Sequence, residues 1–63
     1  MDHLNPIVNI ILGLVKKSEN QFEDGSINWN FISADLWLDG HINDANQHIE
    51  DKAIRMAINE IEA

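Results

Sequence analysis

Apolar positions crowd the stretch Asn5 to Val15 more densely than one face of a small protein can use. Pro6 suits the first position of a helix, where its fixed φ fits and its missing N–H would be an orphan, and Asn5 before it is a favoured N-cap. At about 100° per residue, Ile7, Val8, Ile10, Ile11, Leu12, Leu14 and Val15 sweep an arc of about 200°, roughly twice that of an ordinary surface helix. Asn9, Gly13 and Lys16 are left as a narrow polar strip. Phe22 returns to the Ile11 and Val15 side, so the helix is drawn from about residue 5 to 22, with Gly25 beyond its end. Lys16 and Lys17 would complement the macrodipole if it closed earlier.

So apolar a segment has a rival reading as a membrane anchor, and length decides against it: the run covers about a dozen residues where a span needs about 20. Met1-Asp2-His3 also lacks the basic start of a secretory signal peptide. The expectation is a buried helix of a cytoplasmic protein, with no membrane partner.

Ser18 to Gly25 (SENQFEDG) is polar and closes on Asp-Gly, a turn signal. Ile27, Trp29 and Phe31 then alternate with polar residues as in a strand, but a lone short strand has nothing to pair with. The stretch is read instead as an extended lead-in to a helix capped by Ser26, Asn28 or Asn30. That second helix runs from about 30 to 39. Phe31, Ala34 and Leu38 share one side, Trp29, Ile32 and Leu36 lie beside them, Trp37 sits on the flank, and Gly40 takes the left-handed conformation that closes the helix.

His41 to Asn43 is a short connector, so helices two and three are expected to form an antiparallel hairpin. The third helix spans about 43 to 62, with Asn43 or Asp44 near its N-cap. Ile42, Ala45, Ile49, Ala53 and Met56 follow a nearly seven-residue repeat, and the apolar arc widens through Ile54, Ala57, Ile58 and Ile61. Asp51 and Arg55 are spaced for an exposed ion pair. The fold class is therefore all-α, three helices in one small domain over residues 1–63. Two apolar arcs wider than one short chain can cover predict a helical homodimer, joined through Ile7, Ile10 and Leu14 and the Ile54, Ile58 and Ile61 side.

Size strengthens that expectation, because 63 residues make a domain that is commonly marginal alone. With no cysteine there is no disulfide staple or thiolate metal site, and oligomerisation is the common remaining solution. The net charge is −7, from eleven acidic and four basic residues. Direct nucleic-acid binding is disfavoured, since the only basic groups are Lys16/Lys17 and Lys52/Arg55. The acidity has a plain explanation in solubility and a sharper one in carboxylates that meet a basic partner or imitate nucleic acid.

Candidate chemistry is thin. His41, Asp44 and His48 recur at i, i+3 and i+7 and could in principle hold a metal, but His41 lies two turns away in the connector and two ordinary histidines on a solvated face explain them far better. Asp35, Asp39, Gly40 and Ile42 match part of a calcium loop, which breaks because Trp37 takes its third position and Asn46 its twelfth. Ser18, Ser26 and Ser33 are the only hydroxyl residues, none in a nucleophile turn, and no Gly-rich phosphate loop is present. No catalytic residue, cofactor or metal is expected, and the chain is not read as an enzyme.

In size, in the opening MDHLNPIVNIILGLVKK and in the Trp-rich middle NWNFISADLWLDG, the chain resembles the small acidic accessory proteins encoded between the recombination and excision genes of lambdoid bacteriophages. The resemblance implies an all-helical, dimeric early protein that modulates the host, or the choice between lysis and lysogeny, through protein contacts. No functional residue transfers with it. The leading expectation is thus an accessory regulator that binds itself and an unidentified host or phage protein, with Trp37, Asp35, Asp39 and Asp44 as candidate partner contacts. The alternative is a nucleic-acid mimic whose Asp35, Asp39, Asp44, Glu50 and Asp51 block a host DNA-binding protein.

Overall fold

The computed structural model describes residues 4–63. Three helices succeed one another: α1 (Leu4–Leu14), α2 (Trp29–Leu38) and α3 (Glu50–Glu62), with short 3-10 turns at Ser18–Asn20 and Gln47–Ile49. No strand forms among the described residues, so the all-α class holds.

The wide arc of α1 is buried within this one chain. Ile7, Val8, Ile11, Leu14 and Val15 join Ile32 and Leu36 of α2, Ile42 of the connector, and Ala53 and Ala57 of α3 in a single core. α1 and α3 pack side by side, and the two alanines, one turn apart and fully buried, let their backbones approach closely. Ile11, Ile32, Leu36 and Ile42 are the largest apolar side chains taken wholly out of water, each stabilising by about 1.5–3 kcal/mol.

Helical residues begin at Leu4, so Asn5 lies inside the first turn rather than capping it, and any cap falls outside the described residues. Pro6 is still in that turn, where no helix N–H has a partner to lose. At the other end α1 stops at Leu14, short of the expected Phe22. Bonds from the Lys16 N–H to the Gly13 carbonyl (3.3 Å) and from Lys17 to Leu14 (3.2 Å) tighten the last turn. Two side-chain amides then close it from beyond the helix. Asn20 Nδ2 donates to the Leu14 carbonyl at 2.9 Å, buried in the core, and Gln21 Nε2 donates to the Val15 carbonyl at 2.9 Å. These amides satisfy carbonyls that a longer helix would have used, which is why the polar SENQ run turns back instead of continuing.

Asn20 also anchors the loop into α2, since its carbonyl accepts the Asn28 N–H at 2.8 Å. Between them Gln21 and Ile27 make a single antiparallel bridge around a tight turn with Gly25 at φ 88°. Asp24 Oδ1 accepts both the Ser26 hydroxyl (2.6 Å) and the Ser26 N–H (2.9 Å). Of the three possible caps for α2, Asn28 takes the role, its Oδ1 accepting from the Phe31 N–H at 3.4 Å. At the C-terminus Gly40, at φ 78°, closes α2: its N–H bonds the Trp37 carbonyl (3.2 Å) and the His41 N–H bonds Leu36 (2.9 Å), a Schellman pattern.

The third helix starts later than expected, at Glu50 instead of about residue 43. Asn43 Oδ1 accepts the Ala45 and Asn46 N–H groups at 2.8 and 3.3 Å, and Asn46 Oδ1 accepts the Asn43 N–H at 2.7 Å. The two asparagines close a single isolated turn on each other and offer the backbone an alternative to helix. Asp51 and Arg55 do form the anticipated ion pair, at 3.0 Å on the exposed side of α3, worth only a few tenths of a kcal/mol.

Replacing Asn20 by Ala should destabilise the fold by about 1–3 kcal/mol, because the Leu14 carbonyl loses its shorter, buried bond and keeps only the Lys17 N–H at 3.2 Å. Urea unfolding of Asn20→Ala beside the parent checks this; an unchanged midpoint would remove the amide from its capping role. The Ser26 hydroxyl, and then the Ser26 N–H, hold the Asp24 carboxyl below its ordinary 3.8. Its folded value lies under its unfolded one, so its contribution to the turn is present above the ordinary value and disappears as pH falls through the lowered one. A carboxyl NMR titration should place the Asp24 midpoint low and move it up in Ser26→Ala.

Candidate functional site

The surface most out of keeping with water belongs to α2. With 3.6 residues per turn, Ile32 and Leu36 point one way, into the core, while Phe31, Ala34 and Leu38 fall within about 60° of one another on the opposite side. Leu38 is 82% exposed and Phe31 56%, with Ala34 exposed between them. The helix thus has two apolar sides, and its own chain covers only one of them.

Beside this ridge stand two carboxylates. Asp35 is one turn from Phe31 and half-buried; Asp39, one turn further, is exposed at the helix end. The other flank carries Trp37, partly exposed, with its indole edge fixed: Nε1 donates to Glu50 Oε2 at 3.0 Å. The same oxygen accepts the Ser33 hydroxyl at 2.8 Å. Glu50 lies in the first turn of α3, where negative charge is favoured, and through these bonds it ties α2 to that helix end. The ridge is therefore held on a helix that is capped at both ends and pinned to its neighbour.

Two recesses lie elsewhere. A cleft of about 250 Å³ is lined by Ser26, Ile27, Trp29, Ile58, Ile61 and Glu62. Ile61 is 43% exposed at its margin. A larger trough of about 560 Å³ between α1 and α3 is lined by Asn5, Asn9 and Asn59 together with Val8, Leu12 and Met56.

These positions revise the expected interface. Ile7 and Leu14 are only 8% and 7% exposed, enclosed by their own chain, so they offer no seam to a second copy. α3, approaching closely through Ala53 and Ala57, covers the arc for which the sequence pattern predicts a partner. Ile10 and Ile54 are half-buried against the core, Ile58 is half-buried at the cleft, and Ile61 is the one member of the set that stands clearly in water. Of the partner-contact candidates, Asp35 and Asp39 stand on one flank of the α2 ridge and Trp37 on the other, whereas Asp44 is exposed in the turn beyond the helix.

Phe31 and Leu38 are the residues missing from the sequence-based site. A signal is present, since Phe31, Ala34 and Leu38 run opposite Ile32 and Leu36, but by periodicity alone the two rows merge into one broad core-facing side. The remaining constellations are dispersed. His41 is half-buried after α2, and Asp44 and His48 are exposed on two successive turns instead of one helix face. Among the described residues no group of three or more metal-ligating side chains converges. Of the carboxylates in the nucleic-acid-mimic reading, Glu50 is engaged by Ser33 and Trp37, and Asp51 by Arg55.

Among the described residues no helix is long and apolar enough to cross a membrane. Compared with protein families, with curated proteins and with solved structures, the chain finds no match.

Proposed function

We propose that the protein acts by binding other proteins, with the outer side of α2 as its docking surface. One observation carries this reading: Leu38 and Phe31, 82% and 56% exposed, are displayed side by side on a helix whose ends and flank are all hydrogen-bonded. Large apolar groups scattered singly over a surface need no explanation, but a contiguous ridge on an ordered element is characteristic of an interaction site. The biological setting supported by the size, the acidity and the resemblance of the opening and Trp-rich stretches is an accessory regulator of phage development in a bacterial cytoplasm.

Within that role the chain pairs with a second copy at the Ile58 and Ile61 end of α3. Ile61 stands beside the cleft that it helps to line with Ile27 and Trp29. Knob and recess in one patch are what a twofold, self-complementary contact requires.

Two measurements test these readings. In a pull-down from bacterial lysate the parent chain should retain a protein that Leu38→Asp does not, the variant keeping its melting temperature because so exposed a side chain contributes little to the core. Equal capture by both chains would overturn α2 as the docking surface. In sedimentation the parent should run near twice the 7.2 kDa chain mass, Ile61→Asp near one chain, and Leu38→Asp should remain a dimer. A monomeric parent would end the homodimer reading and leave the α2 reading standing.

A further inference from the structure

Charge narrows what can cover α2. No lysine or arginine lies between Lys17 and Lys52, so every formal charge on the segment that carries the ridge is negative. Among the described residues the only ion pair is Arg55 with Asp51, on α3, and Asp35 and Asp39 receive no counter-charge from their own chain. The Phe31, Ala34 and Leu38 ridge is therefore apolar along its crest and anionic along one edge.

A second copy fits this surface poorly. Two α2 helices packed antiparallel about a twofold axis at Ala34 would set Phe31 against Leu38 of the other copy, which is sterically reasonable. The same symmetry brings like edge to like edge, however, and places Asp35 beside its own duplicate at the margin of an apolar contact, with both copies of Asp39 further along the same margin. Repulsion there is strengthened as water leaves. An extended peptide fits no better, because the backbone of α2 is bonded within the helix and gives a strand nothing to pair with. What remains is the side of another helix.

We infer that the outer side of α2 receives an amphipathic helix of a partner protein whose apolar stripe is bordered by lysine or arginine. The inference rests on the reading of α2 as a docking surface and adds the chemistry of its occupant. Phe31 and Leu38 are seven residues apart, about 10 Å along the axis, with the small Ala34 leaving a notch between them into which one large side chain of the incoming helix fits. Asp35 and Asp39 are spaced one turn apart, so the matching cations belong four residues apart on one edge of the partner.

Three synthetic helical peptides with one Leu/Ala stripe, carrying at those two edge positions Lys and Lys, Gln and Gln, or Glu and Glu, can be titrated calorimetrically into the intact protein. The Lys peptide should bind tightest, the Gln peptide about tenfold more weakly, as two partly desolvated ion pairs predict, and the Glu peptide not measurably. The Lys preference should close in Asp35→Asn/Asp39→Asn and in high salt, and Leu38→Asp should abolish binding of all three. Equal binding of the Lys and Gln peptides would overturn the basic partner and leave the docking surface intact. A Lys preference that survives the double asparagine variant would place binding elsewhere on the acidic surface and overturn the inference. So would a failure of every peptide to bind. Peptide binding unaffected by Leu38→Asp would overturn the inference and the docking surface together. Sedimentation of a dimer that Leu38→Asp dissociates would identify the occupant as a second copy instead.

Discussion

A carbonyl at the end of α1 has to find a donor inside the core, and the way it does so shapes the molecule. The Leu14 oxygen accepts the Lys17 N–H at 3.2 Å, and Asn20 supplies a second, buried bond at 2.9 Å from a turn that has doubled back. In the same residue the carbonyl anchors Asn28, the residue that caps α2. One buried amide thus ends the first helix, fixes the loop and sets where the second helix starts. The packing of α3 against the other side of α1 then completes the core with two alanines, which contribute closeness of approach more than area.

How much of this can be read from the sequence depends on whether the controlling contacts are local. Gly40 closing α2 and the Asp51–Arg55 pair are near-neighbour effects, and their residue types announce them. The apolar density of Asn5 to Val15 marks α1 as the centre of the core. The end of α1 is not legible, because Asn20 and Gln21 act through side-chain bonds to carbonyls six residues earlier, which no periodicity reveals. The late start of α3 has the same origin: Asn43 and Asn46 satisfy each other's backbone, where the apolar stripe through Ile42 and Ala45 suggests continuous helix.

The larger difference between pattern and structure concerns where the apolar surplus sits. Width of arc points to α1, yet α1 lies along α3 and its apolar residues form the centre of the core, so almost all of the arc is buried within the chain. α2 looks ordinary by total apolar content, but it touches the core along a single line and lies at the margin of the fold. Among the described residues its second apolar side has no neighbour. Exposed surface is therefore decided by how many elements can reach a helix, a property of topology that composition along the helix does not carry.

Acidity and the exposed ridge make physical sense together. A small protein that leaves Phe31 and Leu38 in water invites indiscriminate association, since apolar contact by itself is non-directional. A net charge of −7 opposes that between copies at long range, and the carboxylates beside the ridge oppose it at contact. The same charges work in reverse for a cationic surface, which is steered toward the ridge and meets its counter-ions on arrival. Hydrophobic burial supplies the affinity in such an arrangement while charge supplies the choice of partner. Selection against the wrong partner is then built in by the unpaired aspartates, which any neutral or acidic helix would have to bury without compensation.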